Sequence, residues 1–156
     1  MIATRKKEND FVMKRVLGKK VTIFEPRSFL NKNKNLEIMS ITIDEYYTRI
    51  DFKYTASSKY TKGGWVTINK DTYIQPHGTE IKYSLLKTGN IPLAPMKYYF
   101  ESCGEILFYT LYFPTLSWKI DKINIVEAND AENPFNFEGV FLKKGKRNYN
   151  FDFSDN

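Results

Sequence analysis

One histidine and one cysteine in 156 residues leave this chain short of the side chains on which most acid-base, nucleophilic and metal chemistry depends. A lone Cys103 excludes an intrachain disulfide and any multi-cysteine metal site. His77 lies in a Pro76-His77-Gly78 turn and reads as an exposed turn residue. The carboxylates show no EF-hand spacing, so the acidic segment 129–132 reads as a solvated loop. Gly63-Gly64 is followed by no Gly-Lys-Ser/Thr and belongs to no phosphate-binding loop. It reads instead as a positive-φ or bulge position before a strand. No cofactor and no enzymatic activity are expected. No run of about 18 apolar residues is present, so no transmembrane helix is expected. The first residues lack the apolar core of a secretory signal. The chain is therefore expected to be cytoplasmic, or periplasmic or cell-envelope if a leader has been removed.

What charge there is sits unevenly. Of the net +6, residues 1–20 hold +5, leaving the rest of the chain nearly neutral. This pattern describes a domain with a basic arm rather than a nucleic-acid footprint, and no specific nucleic-acid partner is expected. Within residues 1–18, Asn9-Asp10 and Gly18 bracket Phe11 to Leu17 as the caps of a short helix, the alternative being a loose arm. Attraction of the arm to anionic polymer or lipid would be weak and salt-sensitive.

Aromatic residues are plentiful, with 12 Phe and 11 Tyr, and they suit pleated surfaces. Glu105 to Leu116 is the clearest strand, running through β-branched, aromatic and leucine residues to Pro114. Both of its faces are apolar, which predicts a strand covered on both sides at the centre of a layered structure. Period-two alternation continues through Lys20–Phe24, Leu36–Ile43, Tyr47–Tyr54, Trp65–Ile68, Thr72–Ile74, Ile120–Glu127 and Phe137–Leu142. Ile81, Tyr83 and Leu85 read as one inner face, Thr88–Pro95 as irregular, and Asn148–Phe153 as a last edge strand. Short strands at even spacing predict one antiparallel immunoglobulin-like β-sandwich over residues 19–153, with a small β-barrel as the alternative. Phe52, Trp65, Leu111 and Phe113 are its expected core.

The remaining candidates for function are aromatic rings at strand ends and loops: Tyr60, Tyr98, Tyr99 and Trp118. Exposed and coplanar, such rings would stack on sugars. Four segments in succession carry a resemblance: residues 63–74 (GGWVTINKDTYI), 82–95 (KYSLLKTGNIPLAP), 107–114 (LFYTLYFP), and 123–127 (INIVE) with 134–140 (PFNFEGV). Together they resemble a β-sandwich domain that recurs in proteins of Bacteroidetes, often beside a protease-like or thioredoxin-like domain and sometimes alone. The resemblance covers roughly residues 36–143 and departs at Glu138, where an aromatic would be expected. It implies an accessory, extracytoplasmic role and supplies no catalytic residue. The expected function is a non-catalytic accessory or protein-interaction domain of a bacterial protein. A carbohydrate-binding module and a small phage or host-defence partner-binding protein are the alternatives.

Overall fold

The computed structural model describes residues 21–22, 24–25, 30–31, 35–127 and 136–142. The basic arm, the expected helix within it and the expected strand Asn148–Phe153 lie outside the described residues. Two antiparallel sheets build the molecule. Sheet 1 has the order β1 (Val21–Thr22), β4 (Leu36–Ile43), β5 (Tyr47–Thr55), β11 (Ile106–Pro114), β9 (Lys87–Gly89). Sheet 2 runs β2 (Phe24–Glu25), β13 (Asn136–Leu142), β12 (Lys122–Val126), β7 (Tyr73–Pro76), β8 (Tyr83–Ser84), with β3 (Leu30–Asn31) also paired to β13. A separate two-stranded ribbon joins β6 (Trp65–Val66) to β10 (Tyr98–Tyr99).

The sheets face each other across one apolar core, making an antiparallel β-sandwich. Sheet 1 contributes Ile38, Ile41, Ile50, Phe52, Leu111 and Phe113, and sheet 2 contributes Ile74, Ile123, Ile125, Phe137 and Val140. Phe52 stacks on its cross-strand neighbour Tyr109 at 5.1 Å and reaches Phe137 of the opposite sheet at 6.0 Å. Two segments pass from one sheet to the other: β1 and β2 are one residue apart in sequence, and β8 runs on to β9 two residues later. At the second corner Leu85 N–H donates to Thr72 in one direction and Leu86 N–H to Tyr112 in the other. Such corner strands bring the edges together without joining the ladders, so the sheets do not close into the barrel considered as the alternative.

Local chemistry explains the elements. Tyr47–Thr55 places Thr48, Ile50 and Phe52 in the core and Arg49 in water, as its period-two pattern predicts. Asp44 makes the preceding turn, its Oδ1 accepting from the N–H groups of Tyr46 and Tyr47 at 2.7 and 2.9 Å. Each sheet also contains a bulge that shifts the alternation by one residue. In β4 the register jumps between Ile38 and Ser40, so Leu36 and Ile38 point inward before the bulge and Ile41 and Ile43 after it. In β13 Glu138 and Gly139 together oppose Asn124, which lets both Phe137 and Val140 face the core. Asn124 Oδ1 accepts from the Gly139 N–H at 2.9 Å and lies 3.0 Å from His77 Nδ1, so that ring nitrogen is the donor.

Several expectations need correction. Only the Leu107, Tyr109, Leu111, Phe113 side of β11 is buried; Ile106 and Phe108 are 47% and 57% exposed. The outer face stays wet because its cross-strand neighbours are polar: Lys53 opposite Phe108, Asp51 opposite Thr110, Arg49 and Lys87 flanking Tyr112. Ile81 is exposed and Tyr83 and Leu85 are only half-buried, since the chain there crosses between sheets and pairs over two residues alone. The stretch 88–95 is less irregular than expected: Thr88 and Gly89 pair with β11, and Leu93 forms a parallel bridge with Ile68.

On that outer face Asp51 ties three strands together, accepting from Ser40 of β4 at 2.8 Å, Thr110 of β11 at 2.6 Å and Arg49 Nε at 3.1 Å. Burial raises its pKa, but the hydrogen bonds from Thr110, Ser40 and Arg49 and the Arg49 charge outweigh that and hold it below the ordinary carboxylate value. A depressed folded-state pKa stabilises above the unfolded-state pKa, and the gain is lost as pH falls through the folded value. Asp51→Asn is therefore expected to cost about 1 kcal/mol at pH 7, a charged hydrogen-bond contribution discounted for an exposed site. The difference from the parent should shrink below about pH 4, and urea melts from pH 7 to pH 2.5 would check it. A gap that stays constant over this range would contradict the assignment.

Candidate functional site

The ribbon of β6 and β10 carries the described chain's densest group of exposed rings. Its outer face presents Trp65 and Tyr99, directly opposite each other in the register and 47% and 66% exposed. Phe100 N–H donates to the Gly64 carbonyl at 3.0 Å, which makes Tyr99–Trp65 the non-hydrogen-bonded pair. In antiparallel sheets such pairs hold their side chains closest, with Cα atoms about 4.5 Å apart. Lys97, two residues before Tyr99, lays its ammonium 4.2 Å from the Trp65 ring centroid. Leu93 and Met96, in the segment that leads into β10, are exposed as well.

The ribbon's other face anchors it. Val66 and Tyr98 pack on the core, and Phe100 is buried between Tyr54, stacked at 5.6 Å, and Tyr98, edge-on at 5.1 Å. Tyr98 donates its hydroxyl to Glu105 Oε2 at 2.7 Å, and the other Glu105 oxygen accepts from the Glu101 N–H at 2.9 Å. These hydrogen bonds, led by the one from Glu101, hold the Glu105 carboxyl below its ordinary pKa; the same carboxylate raises the pKa of Tyr98. On the β6 side, Gly63 is buried with φ +89°, and a Cβ there would sit 2.8 Å from Ala56 Cβ and from the Ser102 carbonyl. The loop 56–64 thus lies directly against the 100–104 turn, and this contact sets where β6 begins.

The four candidate rings meet different fates. Tyr99 is on the exposed face, while Tyr98 points to the inner side and is bound by Glu105. Tyr60 is exposed at the same end, its ring lying against Gly64 beside Trp65, with Lys59 5.6 Å from its centroid. Trp118 is half-buried in the loop after β11. The ribbon attaches at Glu105, just before β11, so the nine residues of that strand separate Trp118 from it by about 30 Å. The structure therefore brings Tyr60, Tyr98 and Tyr99 to one end and leaves Trp118 at the other.

Trp65 was expected in the core and is instead the centre of this surface. The alternation of its own segment contained the answer: Val66 and Ile68 face inward, Ile68 fully buried, which turns Trp65 and Thr67 out. The other polar groups have structural roles. Asp51 ties sheet 1, Asn124 fills the β13 bulge, and buried Glu127 accepts from the Asn69 N–H at 3.3 Å. Burial, with Glu127 nearby, pushes the Tyr109 hydroxyl well above its ordinary pKa. Among the described residues no three His, Cys, Asp or Glu side chains gather as a metal site, and no helix is long and apolar enough to cross a membrane. No family model, curated protein or solved structure matches the chain.

Proposed function

We propose that this chain is a non-catalytic β-sandwich interaction domain that binds a protein partner on the Trp65–Tyr99 face of its ribbon. One observation carries the reading: a tryptophan and a tyrosine, directly opposite and both about half exposed or more, stand beside Lys97 on a ribbon fixed from behind. Trp, Tyr and Met are enriched in protein interfaces, and a few such anchors dominate binding. A rigid support lowers the ordering cost of association. An accessory role is also what the resemblance of residues 36–143 implies.

Carbohydrate binding is the second reading, favoured by two exposed rings side by side. It is the weaker one because Lys97 already lies over the Trp65 ring, where a sugar would stack. A photo-crosslinking residue placed at Tyr99 should capture a protein from native cells, whereas one at exposed Tyr46, at the far end of β5, should not. Trp65→Ala should weaken that capture by about 30-fold, equivalent to a hot spot of about 2 kcal/mol. Binding on a glycan array that disappears with Trp65→Ala would replace the protein reading with the carbohydrate one.

A further inference from the structure

The edge of β10 carries information that its face does not. Because Tyr99–Trp65 is the non-hydrogen-bonded pair of the ribbon, the N–H and C=O of Tyr99 point away from β6. No described residue bonds to them. Along this edge Lys97 precedes Tyr99 by two residues and Glu101 follows by two, and all three side chains are exposed. The Glu101 N–H is already taken by the Glu105 carboxylate, which limits how far the edge extends. The free edge therefore reads cation, ring, anion. Such a triplet is its own complement when paired antiparallel about its centre.

We propose that two copies of this chain associate through their β10 edges, with Tyr99 opposite the second copy's Tyr99. Lys97, swinging from the Trp65 ring toward the free edge, then faces the second copy's Glu101, and Glu101 the second copy's Lys97, a charge match that selects one register. A lysine on an edge usually discourages pairing; here the glutamate four residues on turns it into a selector for an identical edge. The twofold axis stands perpendicular to the joined sheet, so both Trp65–Tyr99 faces lie on the same side. This inference deepens the reading of the ribbon as an interaction element: a four-stranded β6–β10–β10–β6 sheet doubles the aromatic surface offered to the partner.

A contact of this size falls among transient interfaces below about 1,200 Å², so association should be seen by sedimentation equilibrium of the full chain at roughly 10–500 µM. Lys97→Glu and Glu101→Lys should each weaken it at least tenfold while the protein stays folded; Glu101→Lys is the cleaner variant, because Lys97 also lies on the Trp65 ring. An equimolar mixture of the two variants should associate again, because each then supplies the charge that the other lacks. A parent that stays monomeric throughout the range, or a dimer indifferent to both reversals, would overturn the proposal. So would a monomer that binds an extended acidic peptide and loses it on Lys97→Glu alone, which would assign the edge to a foreign strand. The two readings separate cleanly. A monomer that still crosslinks a different protein through position 99 loses the dimer and keeps the interaction face; a dimer whose position 99 crosslinks only the second copy loses the face and keeps the dimer.

Discussion

Gly63→Ala is expected to destabilise the protein by about 2–5 kcal/mol, because two costs fall on one methyl group. The residue holds φ +89°, a region that costs an L-residue about 1–2 kcal/mol. The added carbon would also lie 2.8 Å from Ala56 Cβ and from the Ser102 carbonyl, and overpacking of this kind costs about 1–3 kcal/mol. Gly78→Ala provides the control: its φ is +84°, but nothing lies within 4 Å, so only the backbone term of about 1–2 kcal/mol applies. Urea denaturation of the two variants measures the difference. Equal losses would mean that the 56–64 loop does not approach the 100–104 turn as closely as the geometry requires.

Phe113→Ala should cost about 3–5 kcal/mol, the usual range for deleting a buried phenylalanine together with the cavity left behind. Its ring is fully buried in the core. Phe108→Ala lies five residues earlier on the same strand, where the ring is 57% exposed, and should cost under about 1 kcal/mol. The pair tests the one-sided burial of β11 directly, by calorimetry or urea melts. Comparable losses at the two positions would show that a layer of the molecule covers both faces.

The sequence made sheet 1 largely readable and the sandwich edges largely not. Strands such as β5 announce themselves because a half-buried strand must alternate, and Ile50 and Phe52 obey that rule. The error over β11 came from equating an apolar face with a buried one. Ile106 and Phe108 are tolerated in water because Lys53 and the other polar neighbours on β5 dilute them, a relation that depends on register and so is invisible in one strand. The corner strands were hidden for a similar reason: Tyr83 to Gly89 serves two sheets, and no single periodicity describes a chain that changes partners. Of the candidate rings, Tyr99 and Tyr60 were recognisable from their placement near turns. Tyr98 differs from Tyr99 only in parity, which the ribbon register decides. Trp65 was misplaced because opening a strand does not decide which face a residue takes, and its own neighbours Val66 and Ile68 already claimed the inner side.

The bulge in β4 also sets where the chain can change length. Remove Met39 and the inward residues fall into an unbroken alternation, Leu36, Ile38, Ile41 and Ile43 closing up on a regular ladder with no core side chain turned outward. Remove one residue between Thr48 and Phe52 of the neighbouring β5 and everything beyond the cut is rotated to the opposite face. Two strands that share most of their length in hydrogen bonds thus differ sharply in their tolerance of deletion, and a shorter homologous chain would be accommodated at Met39 while the spacing of β5 stayed fixed.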